Sequence, residues 1–287
     1  MEKIKTLIQF TRLNKPIGFM LLFWPCLWGL TLGYYFKDET NIYFKYIILF
    51  FLGSVLMRSA GCIFNDIVDK NFDKKVERTK NRPLASGKIS VIEAYIYVVL
   101  LCLLALLILL QFNNLTIILG MSSMILAFAY PFMKRITYWP QLFLGLTFNW
   151  GIIMGWTSIT NNILIEPILL YLSAIFWTLG YDTIYGLQDI RDDEIIGVKS
   201  TSIKFKKNVK IFVGTCYSLC TFFILIMFFM TEINRYFILL MTPFIATLIY
   251  QVKISNISNS LFCLNAFKNN NLTGFLIFLF ILSFNIL

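Results

Sequence analysis

Long apolar runs decide most of what this chain can fold into. Stretches near 17–36, 44–64, 91–110, 115–132, 140–157, 167–187, 209–230, 236–251 and 272–287 stand out. They reach or approach the roughly 20 apolar residues that cross a bilayer. Only 14% of the 287 residues are charged, against about 25% in soluble domains. Backbone groups in lipid find no water, so spanning segments satisfy their own hydrogen bonds as helices. The expectation is an all-α polytopic membrane protein with nine transmembrane helices and a single domain over 1–287. The first sixteen residues lack an apolar core followed by a small-residue cleavage site, so no cleaved signal peptide is expected.

Charge supplies the topology. With the N-terminus placed inside, the inner segments hold 21 Lys and Arg and the outer ones hold Lys37, Lys45 and Arg235, with Arg58 left within a span. The positive-inside rule then makes the N-terminus cytoplasmic. A net charge of +10 can suggest nucleic acid, but topology accounts for it and no nucleic-acid partner is expected. The six cysteines lie almost entirely in apolar runs without metal-ligand spacing, and read as small hydrophobic residues. Histidine is absent, which excludes His-assisted nucleophiles and His-ligated metals. The six tryptophans read as interfacial anchors or packing.

Two long connections on the inner side, about 65–90 and 188–208, carry the candidate chemistry. At about 100° per residue, Asn65, Asp69 and Asp73 step round a helix by roughly 40° each, and Asp66 closes the same arc. Asp189 and Asp193 are four apart, hence on one helical face, with Asp182 two turns earlier on nearly the same side. A single cluster of this kind reads equally as a solvated helix end. Two of them, each ending an apolar span on one side, would repel unless cations neutralise them. Carboxylates, an amide and water suit Mg²⁺, which usually shares its shell with substrate phosphates. Lys70, Arg78, Arg82, Lys134, Arg135 and Lys199 flank the clusters, and Mg²⁺ with such cations stabilises a departing diphosphate. Arg58 lies seven residues before Asn65, within a span, so it must face the interior and find a partner.

Seven segments carry a resemblance to a known family: NKPIG (14–18), GCIFNDIVDKNFD (61–73), NRPLASG (81–87), YPFMKR (130–135), YDTIYGLQD (181–189), DDEIIGVKST (192–201) and FKNNNLTG (267–274). With them the chain resembles the UbiA superfamily of intramembrane prenyltransferases, and within it the hydroxybenzoate-prenylating branch of ubiquinone biosynthesis. The resemblance implies nine helices around a central cavity open sideways to lipid. It implies Mg²⁺ on Asn65, Asp66, Asp69, Asp73, Asp189 and Asp193, with Asp69, Asp73, Asp189 and Asp193 catalytic. Polyprenyl diphosphate would meet Lys70, Arg78, Arg82, Lys134 and Lys199. The acceptor 4-hydroxybenzoate would meet Arg135, or else Arg58 or Lys134, near Asp182. The site would face the cytoplasm from a bacterial inner membrane, surrounded by lipid. Two departures are NKPIG where the family usually has DKPIG, and Lys70 where Arg is common. Sister enzymes acting on haem, homogentisate or a naphthoate, and more distantly an ion-coupled transporter, remain alternatives at this point.

Overall fold

A computed structural model describes every residue except 1, 232, 234, 256–258 and 286–287, and leaves aside the side chain of Glu2. Among the described residues all regular structure is helical. A short first helix, α1 (Glu2–Thr11), precedes α2 (Ile17–Phe36), α3 (Thr40–Asp73), α4 (Val91–Leu109) and α5 (Asn114–Ile136). Next come α6 (Pro140–Asn149) and α7 (Gly151–Thr160), joined through Trp150, and α8 (Ile165–Gly186). Two short pieces, α9 (Ile190–Ile196) and α10 (Thr201–Lys204), lead to α11 (Val209–Met230), α12 (Met241–Ile254) and α13 (Ser260–Leu282). Among the described residues nine stretches are long and apolar enough to cross a membrane, α6 with α7 forming one of them. The chain is an integral membrane protein.

The predicted spans hold in number and order, but three boundaries move. The second helix does not stop near 64. It continues unbroken to Asp73, so the whole first motif is helical. The fourth runs to Ile136, which puts Lys134 and Arg135 in its last turn. The ninth starts at Ser260, a dozen residues earlier than the apolar run suggests. The asparagines near 270 disguise it, and tryptophans explain how they are tolerated. Trp177 Nε1 donates to Asn270 Oδ1 at 2.8 Å, Trp24 Nε1 to Asn271 Oδ1 at 3.0 Å, and Trp28 Nε1 to the Gly274 carbonyl at 2.9 Å. Polar groups paired across helices are stable in lipid where single ones are not. These three indoles are therefore interhelical ties rather than interfacial anchors.

Small residues set the closest helix crossing. A Cβ on Gly29 of α2 would collide with the Ile152 carbonyl of α7, and one on Gly155 of α7 would collide with the Cys26 carbonyl of α2. Missing side chains let these backbones touch, the usual device for packing helices when lipid gives no hydrophobic drive. The outward faces stay apolar, with Ile92, Leu107 and Ile125 well exposed. A second, smaller core fixes α1: Phe10 is fully buried with Ile63, Leu84, Ala94 and Val98.

Candidate active site

A cavity of about 1700 Å³ runs through the bundle. Its wide charged end lies where α3, α5, α8 and α9 finish or begin. α3 turns its motif inward there, so that Asp66 and Asp69 keep only 2% and 1% of their surface exposed and Asp73 is also buried. Asn65, Asp66, Asp69, Asp73, Asp189 and Asp193 all line this one space, as do Arg78, Arg82, Lys134 and Lys199. The structure thus brings together the two acidic clusters, 120 positions apart at Asp69 and Asp189.

The second cluster is not the single helical face that its spacing suggests. Helix α8 ends at Gly186 because the Ser202 hydroxyl takes the Thr183 carbonyl at 2.8 Å and the following turns tighten, Leu187 N–H reaching Ile184 O. Asp189 then stands as the N-cap residue of α9, and Asp193 sits in its first turn, its N–H donating to the Asp189 carbonyl at 2.9 Å. Asp182 stays behind on α8, facing the same cavity farther in. The loop after α9 is held by Thr201 N–H to Gln141 Oε1 at 3.0 Å and Lys199 N–H to the Lys134 carbonyl at 2.8 Å.

Side-chain cations hold most of the carboxylates. Arg82 Nη1 donates to Asp73 Oδ2 at 2.8 Å and to Asp66 Oδ1 at 3.1 Å. Arg12 also pairs with Asp66, and Lys134 with Asp69. Arg78 grips Asp189 with Nε at 2.7 Å from Oδ1 and with Nη2 on Oδ2, and its Nη1 reaches the Tyr185 hydroxyl at 3.3 Å. That bidentate pair joins the loop after the first motif directly to the second. Burial works against the Arg78 charge, but its bonds to Asp189 and the neighbouring Tyr185 outweigh this and raise its pKa. Among the described residues Asp193 makes no such ion pair; burial first, then the charge of Asp189, pushes its pKa up to about 6 against the pull of Lys134 and Arg78. Lys15, also on the cavity, is lowered by burial and by Arg12, Arg78 and Arg82.

Mg²⁺ takes hard oxygen ligands. In kind the donor set fits: hard oxygens from one amide and several carboxylates. Asp69 Oδ1 is buried and has no hydrogen-bond partner among the described residues, with Arg135 Nη2 3.6 Å away. In spacing the carboxylates follow their cations, and among the described residues no three of them stand close enough to enclose one ion.

Two predicted residues lie elsewhere. Lys70 and Arg135 are not among the residues lining the cavity. Arg135 instead donates to the Val68 carbonyl at 2.6 Å, packs over Phe72, 5.0 Å from its ring centre, and stands 3.6 Å from Asp69 Oδ1, bracing the last turns of α3. Lys199 lines the cavity but its ammonium donates to the Ile136 carbonyl at 3.1 Å. Arg58 does face inward, with its guanidinium 5.2 Å from the Phe148 ring centre, and shares its part of the cavity with Tyr130 and Asp182.

Arg12 is the functional candidate that sequence reasoning passed over as a topology charge. It reaches Asp66 because the chain turns sharply after α1, with Arg12 itself at φ 57°. Burial opposes its charge, and the anionic groups around it, Asp66 included, raise its pKa all the same. The only signal in the sequence was its place two residues before NKPIG.

A model of the UbiA prenyltransferase family matches residues 22–282. The chain is 40% identical over 279 residues to the mitochondrial 4-hydroxybenzoate polyprenyltransferase of Arabidopsis thaliana, covering 96% of this chain and 68% of the relative. It is 40% identical to the 4-hydroxybenzoate octaprenyltransferase of Psychromonas ingrahamii, covering 96% and 95% of the two. In fold it is similar to a UbiA homolog from Archaeoglobus fulgidus bound to GPP and Mg²⁺, with TM-score 0.73, 19% identity and coverage of 98% and 100%. A second such structure, the apo UbiA homolog from Aeropyrum pernix K1, gives TM-score 0.74 at 20% identity, covering 93% and 96%.

Proposed function

The chain belongs to the UbiA prenyltransferase family, and from that premise we propose that it is a Mg²⁺-dependent 4-hydroxybenzoate polyprenyltransferase of ubiquinone biosynthesis. The observation that carries this reading is the meeting of two carboxylate sets and their cations at one end of a largely apolar cavity. The relatives named for this activity span nearly all of the chain.

Asn65, Asp66, Asp69 and Asp73 on one side, with Asp189 and Asp193 on the other, would hold Mg²⁺. Bound there, the ion would supply positive charge to the diphosphate as it departs. Arg78, Arg82 and Lys134, which now neutralise carboxylates, are the cations placed to turn to phosphate oxygens instead. Lys199 stands at the rim for the same anion. Lys70 lies off the cavity and takes no part.

The reaction follows from that arrangement. The allylic C–O bond of the donor breaks and its electron pair leaves with the diphosphate. The ring carbon ortho to the acceptor hydroxyl forms the new C–C bond, and its proton passes to a carboxylate of the set or to the leaving diphosphate. For the acceptor carboxylate we favour Arg58 over Arg135. Arg58 faces the cavity about 10 Å farther in than Asn65, seven residues at the helical rise, whereas Arg135 does not line the cavity and braces the last turns of α3. Asp182 and Tyr130 would border the ring there. Apolar walls keep water from the allylic centre.

The whole chain forms one catalytic domain in lipid. The charged end faces the cytoplasm by the excess of inner Lys and Arg, in a bacterial inner membrane. The test is a panel of acceptors. Membranes containing the protein are supplied with Mg²⁺, a labelled polyprenyl diphosphate and 4-hydroxybenzoate, homogentisate, a dihydroxynaphthoate or haem. Label should enter hydroxybenzoate; transfer to another acceptor in its place would overturn the assignment.

A further inference from the structure

The cavity continues well past the charged end. Along α5 it is lined in turn by Lys134, Tyr130, Ala127, Met124 and Gly120, steps of three and four residues that keep to one helix face. Opposite, α4 presents Val98, Cys102, Leu106 and Leu109 at the same spacing, and α7 adds Met154. Beyond Lys134, no charged residue of these three helices lines the arm.

The inner end is defined by an absence. A Cβ built on Gly120 would lie 2.6 Å from Leu109 Cδ1 and 3.1 Å from Met154 Cε. The Leu109 and Met154 tips rest against the bare Gly120 backbone, and a side chain there would push them off it into the arm. Lys134 and Gly120 are fourteen residues apart on one helix, so the arm is about 21 Å long at the helical rise. Each isoprene unit contributes four chain bonds, which advance about 5 Å at ordinary C–C lengths. The arm therefore holds about four extended units.

We propose that Gly120, facing Leu109 and Met154, is a specificity-determining residue that keeps the arm open to long prenyl tails. A side chain at this position drives the Leu109 and Met154 tips into the arm and restricts the enzyme to short donors. The inference rests on the prenyl diphosphate reading above, and concerns where the tail goes rather than which group leaves.

The test compares geranylgeranyl with geranyl diphosphate, each with 4-hydroxybenzoate and Mg²⁺, in protein reconstituted in lipid. In Gly120→Leu the kcat/KM ratio of the longer donor to the shorter should fall about tenfold, the burial lost for roughly two methylene groups. Gly120→Ala should give a smaller fall. Adding Leu109→Ala to Gly120→Leu should restore the ratio by vacating the space. Met154→Phe fills the same space from the other wall and should shift the ratio as Gly120→Leu does, should that variant not elute as folded protein. An unchanged ratio in both filling variants, or an equal loss for the two donors, would place the tail outside the arm and overturn the proposal. Wild-type protein that transfers neither donor would overturn the prenyl reading together with it.

Discussion

Arg82→Ala probes the charge pairing of the site without recourse to activity. Arg82 joins Asp73 and Asp66 at 2.8 and 3.1 Å, with side-chain exposures of 19%, 10% and 2%. Removing one partner of a buried pair costs about 3–5 kcal/mol, because the other charge is left without compensation. Asp66 keeps Arg12, and Arg82 is partly solvated, so a discounted loss of about 2–3 kcal/mol is expected. At about 2–4 °C per kcal/mol for a chain of this size, the unfolding midpoint should fall by roughly 4–12 °C. The assay is thermal unfolding in detergent or nanodiscs without divalent ions. Asp73→Asn in the same chain removes the orphaned charge and should recover much of the loss, with a coupling of about 1–3 kcal/mol. Strict additivity of the two substitutions would refute the pairing argument.

Four further substitutions test the packing and the cavity. Gly155→Val forces a branched side chain into the backbone of α2 at Cys26 and Leu30; about 1–3 kcal/mol or more should be lost to overpacking, read as a lowered unfolding midpoint. Trp177→Phe leaves Asn270 Oδ1 without its indole donor and should cost about 1–2 kcal/mol, part of which Asn270→Leu in the same chain returns. Arg58→Ala should raise the KM for 4-hydroxybenzoate about tenfold or more, the loss of a charge-assisted hydrogen bond. Arg135→Ala should instead lower kcat through Asp69 without raising that KM, and steady-state kinetics separate the two.

The parts legible in the sequence were those written in local periodicity. Apolar length marked the nine spans, and the four-residue steps of Asn65, Asp69 and Asp73 marked an inward helical face. What escaped was set by tertiary partners. The asparagines of α13 read as a helix boundary because their tryptophan donors come from α2 and α8, about 90 to 250 positions away. Asp189 read as helical because the Ser202 hydroxyl that ends α8 lies beyond the motif. Arg12 and Arg135 are both basic residues near a span end, and only the turn after α1 and the bond of Arg135 to the α3 backbone separate a cavity residue from a brace.

The central claim is that both carboxylate sets act on one diphosphate. The most direct measurement is prenyl transfer from labelled polyprenyl diphosphate to 4-hydroxybenzoate in Mg²⁺-supplied membranes carrying Asp69→Ala or Asp189→Ala. Each substitution alone should abolish transfer, while the protein still inserts and elutes as wild type. Near-normal transfer by either variant would contradict the account.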